Sequence, residues 1–134
     1  MTGGYLYPQS GLLIGPQAVA GISRYHANWA LLSTAGISPE GSFNTNEFIA
    51  ESERMMIDRA DRVAVLADHT KVGGRSMCHV CGLDKIDVLI TDRHPSSVFA
   101  LKKLEAEGVK VVTVEPIPLN NHGSVRELRA TRAR

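Results

Sequence analysis

The chain has 134 residues, of which 43% are hydrophobic and 22% are charged, values typical of one soluble globular domain. Its formal net charge of +1 gives no electrostatic argument for nucleic-acid binding over the whole chain. No apolar run approaches the roughly 18 residues that span a bilayer, and the N-terminus lacks the basic and apolar regions of a signal peptide. The sequence therefore predicts a cytoplasmic protein.

The first half of the chain predicts two helices separated by a strand. After an irregular start, Pro16 begins a helix that runs to about residue 25. Residues 29–32 are predicted as a buried strand, and a loop marked by proline and glycine follows. Asn44 or Thr45 is expected to cap the second helix. The apolar positions of that helix are Phe48, Met55, Met56 and Ala60.

The second half alternates strands with a helix. The predicted elements are a strand at residues 62–67, an extended segment around Met77, a strand at residues 86–90, a helix at residues 96–107 and a strand at residues 109–114. Gly108 is placed to end that helix. This alternation predicts an α/β fold, a mostly parallel Rossmann-like sheet with flanking helices on its faces. Such sheets bind ligands beyond the carboxyl ends of their strands.

Small polar residues follow three of the predicted strands, at residues 34–36, at residues 68–71, and at Thr91 and Asp92. Lys71 is the strongest candidate for a ligand contact. A lysine among small residues combines a cation with accessible backbone amides and a hydroxyl, which is what phosphate binding requires. A lysine in a solvated loop is the alternative. Gly3 and Gly4 offer free amides to an anion, with a disordered start as the alternative.

Carboxylates on and beside one loop are a second candidate group. Glu47 and Glu51 are four residues apart and so share a helical face, with Glu40 nearby. Such groups bind sugar hydroxyls or act in acid–base catalysis, and they also occur as solvated residues near helix N-termini. There is no recognisable Ser/His/Asp set and no G-x-G-x-x-G after a strand, which disfavours a dinucleotide cofactor.

Cys78 and Cys81 form a C-x-x-C motif in an extended segment. Residues three apart in a strand point to opposite faces, and Gly82 follows directly where a redox motif would continue as a helix. A zinc site would need two further ligands at compatible spacing. Structural burial is therefore favoured, with metal or redox chemistry as the alternative.

Residues 119–134 differ in composition from what precedes them, with four arginines against a single acid. A frayed helix or solvated tail is the simplest interpretation. A basic arm that contacts nucleic acid is the alternative.

Four motifs, in their order and spacing, resemble the effector-binding (sensor) domain of the DeoR family of bacterial sugar-metabolism repressors. They are residues 36–40, the pair Ala50-Glu51 with Arg54, residues 66–71 ending in Lys71, and residues 86–87 with Thr91-Asp92. The first is the family's glycine-isoleucine-serine-proline-glutamate loop, and the third is its leucine-alanine-aspartate followed by two small polar residues and lysine.

The resemblance implies the fold shared by ribose-5-phosphate isomerase and glucosamine-6-phosphate deaminase. It implies a pocket for a phosphorylated sugar or related metabolite, no cofactor or metal, a homo-oligomer, and contact with DNA only through an N-terminal helix-turn-helix domain. Carried over by position, Gly3, Gly4 and Lys71 would hold the phosphate. The residues expected near the sugar are Gly36, Thr45, Asn46, Glu47 and Glu51.

Two departures from the family pattern shape the prediction. The helix-turn-helix domain and the opening strands of the sensor domain have no counterpart here, so residues 1–118 are expected to form a partial sensor domain and residues 119–134 a basic tail. The related deaminase has aspartate-glycine-histidine where this chain has Glu40, Gly41 and Ser42, and serine cannot replace that histidine as a base near neutral pH. The sequence therefore predicts a sensor rather than an enzyme. The alternatives are a sugar-phosphate isomerase or deaminase, and an inert fragment with an incomplete pocket.

Overall fold

The structure, a computed structural model, describes residues 1–8 and 10–115. In chain order, the elements of the first part are β1 (Tyr5–Tyr7), β2 (Leu12–Ile14), α1 (Pro16–Ile22), β3 (Ala27–Leu32), β4 (Gly36–Ser38) and β5 (Gly41–Asn44). Those of the second part are α2 (Glu47–Asp58), β6 (Ala60–Leu66), β7 (Cys78–Cys81), β8 (Val88–Asp92), α3 (Val98–Ala106) and β9 (Lys110–Val114). None of the helices described is long and apolar enough to cross a lipid bilayer.

The central sheet has four parallel strands in the order β3-β6-β8-β9, so its spatial order follows the order of the chain. Successive crossovers in one direction, each right-handed, place their connecting helices on the same side of a sheet. Residues paired across parallel strands share a face. The covered face thus carries Leu32, Val65, Leu89 and Val111, which belong to or pack against one core cluster with Leu104 of α3.

The opposite side of the sheet, called the open face here, is formed by the alternate residues of the same strands. Its side chains include Trp29, Leu31, Arg62, Leu66, Ile90 and Val112. Leu31 is 64% exposed and Trp29 is 43% exposed. Among the described residues, no helix packs on this face.

Two smaller sheets complete the fold. Strands β4, β5 and β7 form an antiparallel sheet against α2, and β1 and β2 form a hairpin next to α1, which packs on α2. Ile37 of β4 also forms a parallel bridge with Val72, in the loop that follows β6. This bridge ties the small sheet to the carboxyl edge of the central sheet.

The predicted parallel α/β sheet is confirmed, but several details of the prediction are wrong. Helices do not cover both faces within the described residues, because the strands follow one another in a single direction. The strand at residues 29–32 is therefore an edge strand with one side exposed rather than buried. The predicted loop around Pro39 and the irregular start are in fact hairpins.

Helix boundaries show smaller differences. The first helix ends at Ile22, earlier than expected. The cap of α2 is Asn46, and the buried side of α2 is formed by Ala50, Ser52, Glu53 and Ile57, whereas Phe48 is exposed. Gly108 has φ 94° directly after the residue that caps α3, as predicted. The predicted tail at residues 119–134 and the boundary at residue 118 lie outside the described residues.

Candidate ligand site

A cleft of about 730 Å³ lies where the β1–β2 hairpin meets the first residues of α1 and α2. It is lined by Gly4 and Asn46, two of the residues predicted for ligand binding, and by the rings of Tyr5, Tyr7 and Phe48. Its volume is that of a small-molecule site, and aromatic walls with a few polar groups are typical of such sites. The cleft can therefore hold a ligand of the size of a sugar phosphate.

The two glycines at the start of the chain differ in the space that a side chain would have. Both have positive φ, 81° at Gly3 and 106° at Gly4. A Cβ on Gly4 would lie 2.6 Å from the Ile14 carbonyl oxygen and 2.9 Å from the Ala18 Cβ, whereas a Cβ on Gly3 would meet no atom within 4 Å. Close approach to the start of α1 thus requires glycine at position 4, while Gly3 is exposed.

Asn46 reaches the cleft as the N-cap of α2. Its side-chain oxygen accepts hydrogen bonds from the backbone N–H groups of Phe48, at 2.9 Å, and of Ile49, at 3.4 Å. The sequence-based prediction that Asn44 or Thr45 caps this helix is therefore wrong. Asn44 is the last residue of β5, and its side chain instead bonds Glu53 and the Thr45 backbone N–H.

Lys71 ends a 3-10 turn, His69–Lys71, which follows β6 and is called the Lys71 turn here. Asp68 caps this turn by accepting hydrogen bonds from the Thr70 N–H, at 2.8 Å, and from the Thr70 hydroxyl. These two bonds, the hydroxyl first, lower the pKa of Asp68. Lys71 is half-buried and forms no ion pair with any described residue.

Main-chain contacts bring Gly36 to the loop that carries Lys71. The Gly73 N–H donates to the Ile37 carbonyl oxygen at 2.7 Å. A Cβ on Gly36 would lie 2.8 Å from the carbonyl carbon and oxygen of Gly74, so only glycine fits there. Gly36 and Lys71 therefore form a second group of predicted site residues, distinct from Gly4 and Asn46 at the cleft.

The remaining predicted residues lie on or beside the start of α2. Thr45 is exposed next to Asn46. Glu47 pairs with Arg54, with 2.6 Å between the carboxylate and the guanidinium, and this bond lowers the pKa of Glu47. Glu51 faces the groove between α1 and α2 rather than the cleft. The structure thus gathers some of the predicted residues at the cleft and directs Glu51 elsewhere.

Three residues that were not predicted individually form the His69–Asp92–His94 cluster at the carboxyl edge. Asp92 ends β8 and accepts from the backbone N–H and the ring Nδ1 of His69, both at 2.6 Å. The His94 ring stacks on the His69 ring, with centroids 3.9 Å apart and planes 12° apart. The only sequence signal was the position of His69 and Asp92 at the ends of two strands that turn out to be neighbours.

In the loop where the related deaminase has its histidine, the side chains of this chain form hydrogen bonds within the fold. Ser42 is buried, and its hydroxyl lies 3.0 Å from the hydroxyl of Thr34, which in turn lies near the carbonyl oxygens of Gly36 and Phe43. A different histidine, His79 of β7, places its Nε2 3.2 Å from the Glu40 carbonyl oxygen. That ring nitrogen bonds the backbone, so Ser42 and His79 both serve the loop's own structure.

Both cysteines are free and buried, as the sequence predicted. Burial raises the pKa of Cys81 to about 11, with a further contribution from Asp84, and burial together with Glu47 raises the pKa of Cys78. Both thiols are therefore protonated and weakly nucleophilic at neutral pH. Within residues 1–8 and 10–115, no group of three or more His, Cys, Asp or Glu side chains could hold a metal ion.

Glu53 is a buried carboxyl group that no sequence pattern distinguished from the other acids of α2. It lies on the inner side of α2, and both its oxygens are 3.1 Å from the Asn44 amide nitrogen. Burial raises its pKa to about 7, against the lowering effect of that hydrogen bond. Glu53 therefore titrates near neutral pH inside the fold.

Comparison with protein families identifies the chain. Residues 1–93 match the model of the DeoR C-terminal sensor domain. The chain belongs to the DeoR sensor-domain family. The strand ends and the Lys71 turn described above are thus features of a DeoR-type sensor domain, the domain that the four motifs predicted.

Individual relatives agree with this assignment. The chain is 36% identical over 115 residues to the HTH-type transcriptional repressor GlcR of Bacillus subtilis. It is 37% identical over 125 residues to the uncharacterized HTH-type transcriptional regulator YulB of the same organism, and 30% identical over 114 residues to the HTH-type transcriptional regulator UlaR of Shigella dysenteriae. These alignments cover 86%, 91% and 85% of this chain but only 44%, 46% and 45% of the relatives. The chain therefore spans less than half the length of the curated relatives it matches.

Proposed function

We propose that this DeoR sensor domain binds a phosphorylated sugar or a related metabolite, and that binding changes the DNA affinity of a helix-turn-helix domain. The observation that carries the proposal is the Lys71 turn. It presents Lys71, a half-buried residue that forms no ion pair with any described residue, at the carboxyl edge of a parallel sheet. Ligands of such sheets bind at that edge, and a phosphate supplies the missing negative charge.

The pocket in this proposal extends from the Lys71 turn to the cleft. Lys71 and the backbone amides near Gly36 take the phosphate, while Asn46 and the aromatic rings of the cleft contact the remainder of the ligand. Gly3, Thr45, Glu47 and Glu51 belong to the proposed set through the family's motif, and Glu47 is already engaged by Arg54. The metabolite would act by favouring one arrangement of a homo-oligomer, which biases DNA binding.

The proposal includes a longer protein. Residues 1–118 would be part of a sensor domain related in fold to ribose-5-phosphate isomerase and glucosamine-6-phosphate deaminase, with the DNA-binding domain and the remaining sensor strands supplied by polypeptide beyond this sequence. The coverage of the curated relatives supports this arrangement. Such a regulator would act in the cytoplasm, where its DNA and its metabolite meet.

A sugar-phosphate isomerase or deaminase is the alternative function. The engagement of Ser42 and His79 in local hydrogen bonds favours binding without turnover. Robust isomerisation of a pentose phosphate or deamination of a hexosamine phosphate by the purified chain would establish the enzyme instead.

A thermal-shift screen against a panel of pentose and hexose phosphates tests the sensor proposal. A ligand at 100 times its dissociation constant adds about 2.7 kcal/mol of stability. We expect one or two sugar phosphates to stabilise the protein and the Lys71→Ala variant to lose that effect.

Lys85→Ala is the matched control, because Lys85 also ends a 3-10 turn (Leu83–Lys85) but precedes β8, at the opposite edge of the sheet. This control should respond like the unmodified protein. Folded protein that no sugar phosphate stabilises, or stabilisation that survives Lys71→Ala, would contradict the proposed pocket.

A further inference from the structure

His69 is held in one orientation at the carboxyl edge of the sheet. Its backbone N–H donates to Oδ1 of Asp92 at 2.6 Å, and its ring Nδ1 lies 2.6 Å from Oδ2 of the same carboxylate. The His94 ring stacks on the His69 ring, with centroids 3.9 Å apart. These contacts fix the position and the plane of the His69 ring. The remaining polar atom of that ring, Nε2, is therefore preorganised for a further contact.

The Asp92 carboxylate determines which nitrogen of His69 carries the proton. An ionised carboxylate only accepts hydrogen bonds. The hydrogen bonds from His69, that of the ring first, lower the pKa of Asp92, so this carboxylate is ionised at neutral pH. Nδ1 must therefore donate, and in the neutral ring Nε2 is then an acceptor. Asp92 is thus a positioning residue that sets the chemistry of Nε2.

The Nε2 atom of His69 is available to a ligand. It forms no hydrogen bond to any residue that the structure describes, and the side chain is 27% exposed. The two nitrogens lie on different sides of an imidazole ring, so Nε2 is directed away from Asp92. A side chain that served only to join the two loops would need Nδ1 alone. The acceptor at Nε2 is therefore not required by the local structure.

This acceptor lies on the same turn as the proposed phosphate ligand. His69 and Lys71 begin and end one 3-10 turn, and a rise of roughly 2 Å per residue separates them by about 4 Å along its axis. The hydroxyl of Thr70, between them, is already bonded to Asp68. A fully ionised phosphate has no proton to donate to Nε2, whereas a sugar hydroxyl has one. One sugar phosphate can therefore satisfy Lys71 with its phosphate and His69 with a hydroxyl.

We propose that His69 selects the sugar part of the effector, with Nε2 accepting a hydrogen bond from a sugar hydroxyl while Lys71 binds the phosphate. This role rests on the proposed function and adds discrimination between a sugar phosphate and phosphate alone. The family pattern has small polar residues between the aspartate and the lysine of this motif. The imidazole at position 69 is therefore a feature of this chain.

Nitrogen-15 NMR of the full chain at pH 8 tests the role of Asp92 without a ligand. We expect the His69 ring to carry its proton on Nδ1 and none on Nε2. Asp92→Asn should reverse this, because the His69 backbone N–H retains the amide oxygen and the amide nitrogen then donates to Nδ1. A proton on Nε2 in the unmodified protein would overturn the proposal.

Calorimetric titration tests the selection itself. The probes are pentose and hexose phosphates, ribose 5-phosphate and fructose 6-phosphate first, and inorganic phosphate, which carries no sugar hydroxyl. His69→Asn keeps an amide nitrogen near the place of Nδ1 and removes Nε2. We expect this variant to bind sugar phosphates roughly three- to tenfold more weakly, the effect of one hydrogen bond, and to bind inorganic phosphate unchanged. Lys71→Ala should weaken the binding of both.

His26→Asn is the matched control, because His26 also pairs with an aspartate, Asp61, at 3.1 Å, but at the amino edge of the sheet. It should change neither affinity. If His69→Asn lost affinity for inorganic phosphate as strongly as for sugar phosphates, the ring would contact the phosphate and the proposal would be wrong. Unchanged affinity for both would refute the role of His69 alone. Failure of every sugar phosphate to bind the unmodified protein would refute the proposed function, and this role with it.

Discussion

The two faces of the central sheet are built from similar residues and have opposite surroundings. On the covered face Leu89 is fully buried under α3 and the core, whereas on the open face Leu31 is 64% exposed. Parallel sheets usually have both faces covered by helices. Here the difference comes from topology: four strands added in one direction send every right-handed crossover to one side. Apolar composition alone does not reveal which face of a strand is buried.

The largest effect is expected from a matched pair of variants, each of which truncates one leucine to alanine. Leu89→Ala should lower the free energy of unfolding by about 2–5 kcal/mol, because it leaves a cavity in a close-packed core. Leu31→Ala should change that free energy by less than about 0.5 kcal/mol. Urea denaturation of both variants measures the contrast. Equal losses would mean that the open face is covered in solution.

The covered side also contains Glu53, and this carboxyl group makes the stability of the folded protein depend on pH. The folded pKa of about 7 lies above the ordinary value of 4.5, so the folded state holds a proton that the unfolded state has lost. The contribution of Glu53 to stability should therefore be fully present below the ordinary pKa, fall as the pH rises to about 7, and then level off. The total change is roughly 3 kcal/mol at most.

Glu53→Gln should flatten this dependence, as measured by the urea midpoint across the pH range. Glu105→Gln is the control, because Glu105 is exposed on α3. If the urea midpoint of Glu53→Gln depended on pH as strongly as that of the unmodified protein, another group would be responsible for the dependence.

A smaller effect is expected at the start of α2, the helix that packs against β3 and β6. Asn46→Ala removes the cap and should lower the free energy of unfolding by about 1 kcal/mol. Asn28→Ala, at an exposed position of β3, should have almost no effect in the same denaturation experiment. If Asn46→Ala were equally silent, the cap would not contribute to the stability of the folded chain.

The smallest effect should come from the open face. The guanidinium of Arg62 lies 5.4 Å from the centre of the Trp29 ring, and both side chains are exposed. Arg62→Ala should lower the free energy of unfolding by about 0.5 kcal/mol. Arg93→Ala breaks an exposed ion pair with Glu115 and is expected to have no larger effect. A loss of several kcal/mol at Arg62 would show that this face is desolvated.

Sequence patterns predicted the parallel sheet because β6, β8 and β9 contain several β-branched residues, and segments with helical spacing or turn residues lie between the strands. They did not predict the hairpin at residues 36–44, since Gly36, Ser38 and Gly41 are poor strand formers and β5 pairs on its other side with β7, which is distant in sequence. Local patterns located Lys71 after its strand. Strand order places β6 beside β8 and so brings His69 to Asp92. Strand order also leaves Trp29 exposed on the edge strand. Neither is encoded in any short segment.

The strand order also has a consequence for how the chain folds during synthesis. Each parallel strand after β3 docks beside the one made just before it, so the sheet can grow at one edge as the polypeptide emerges, without rearranging earlier pairings. The opposite edge, β3, then stays available from the first pairing to the last within the described fold. Its six residues carry no charge and no proline to discourage pairing with another strand. Nascent chains would thus be most vulnerable to aggregation at this edge.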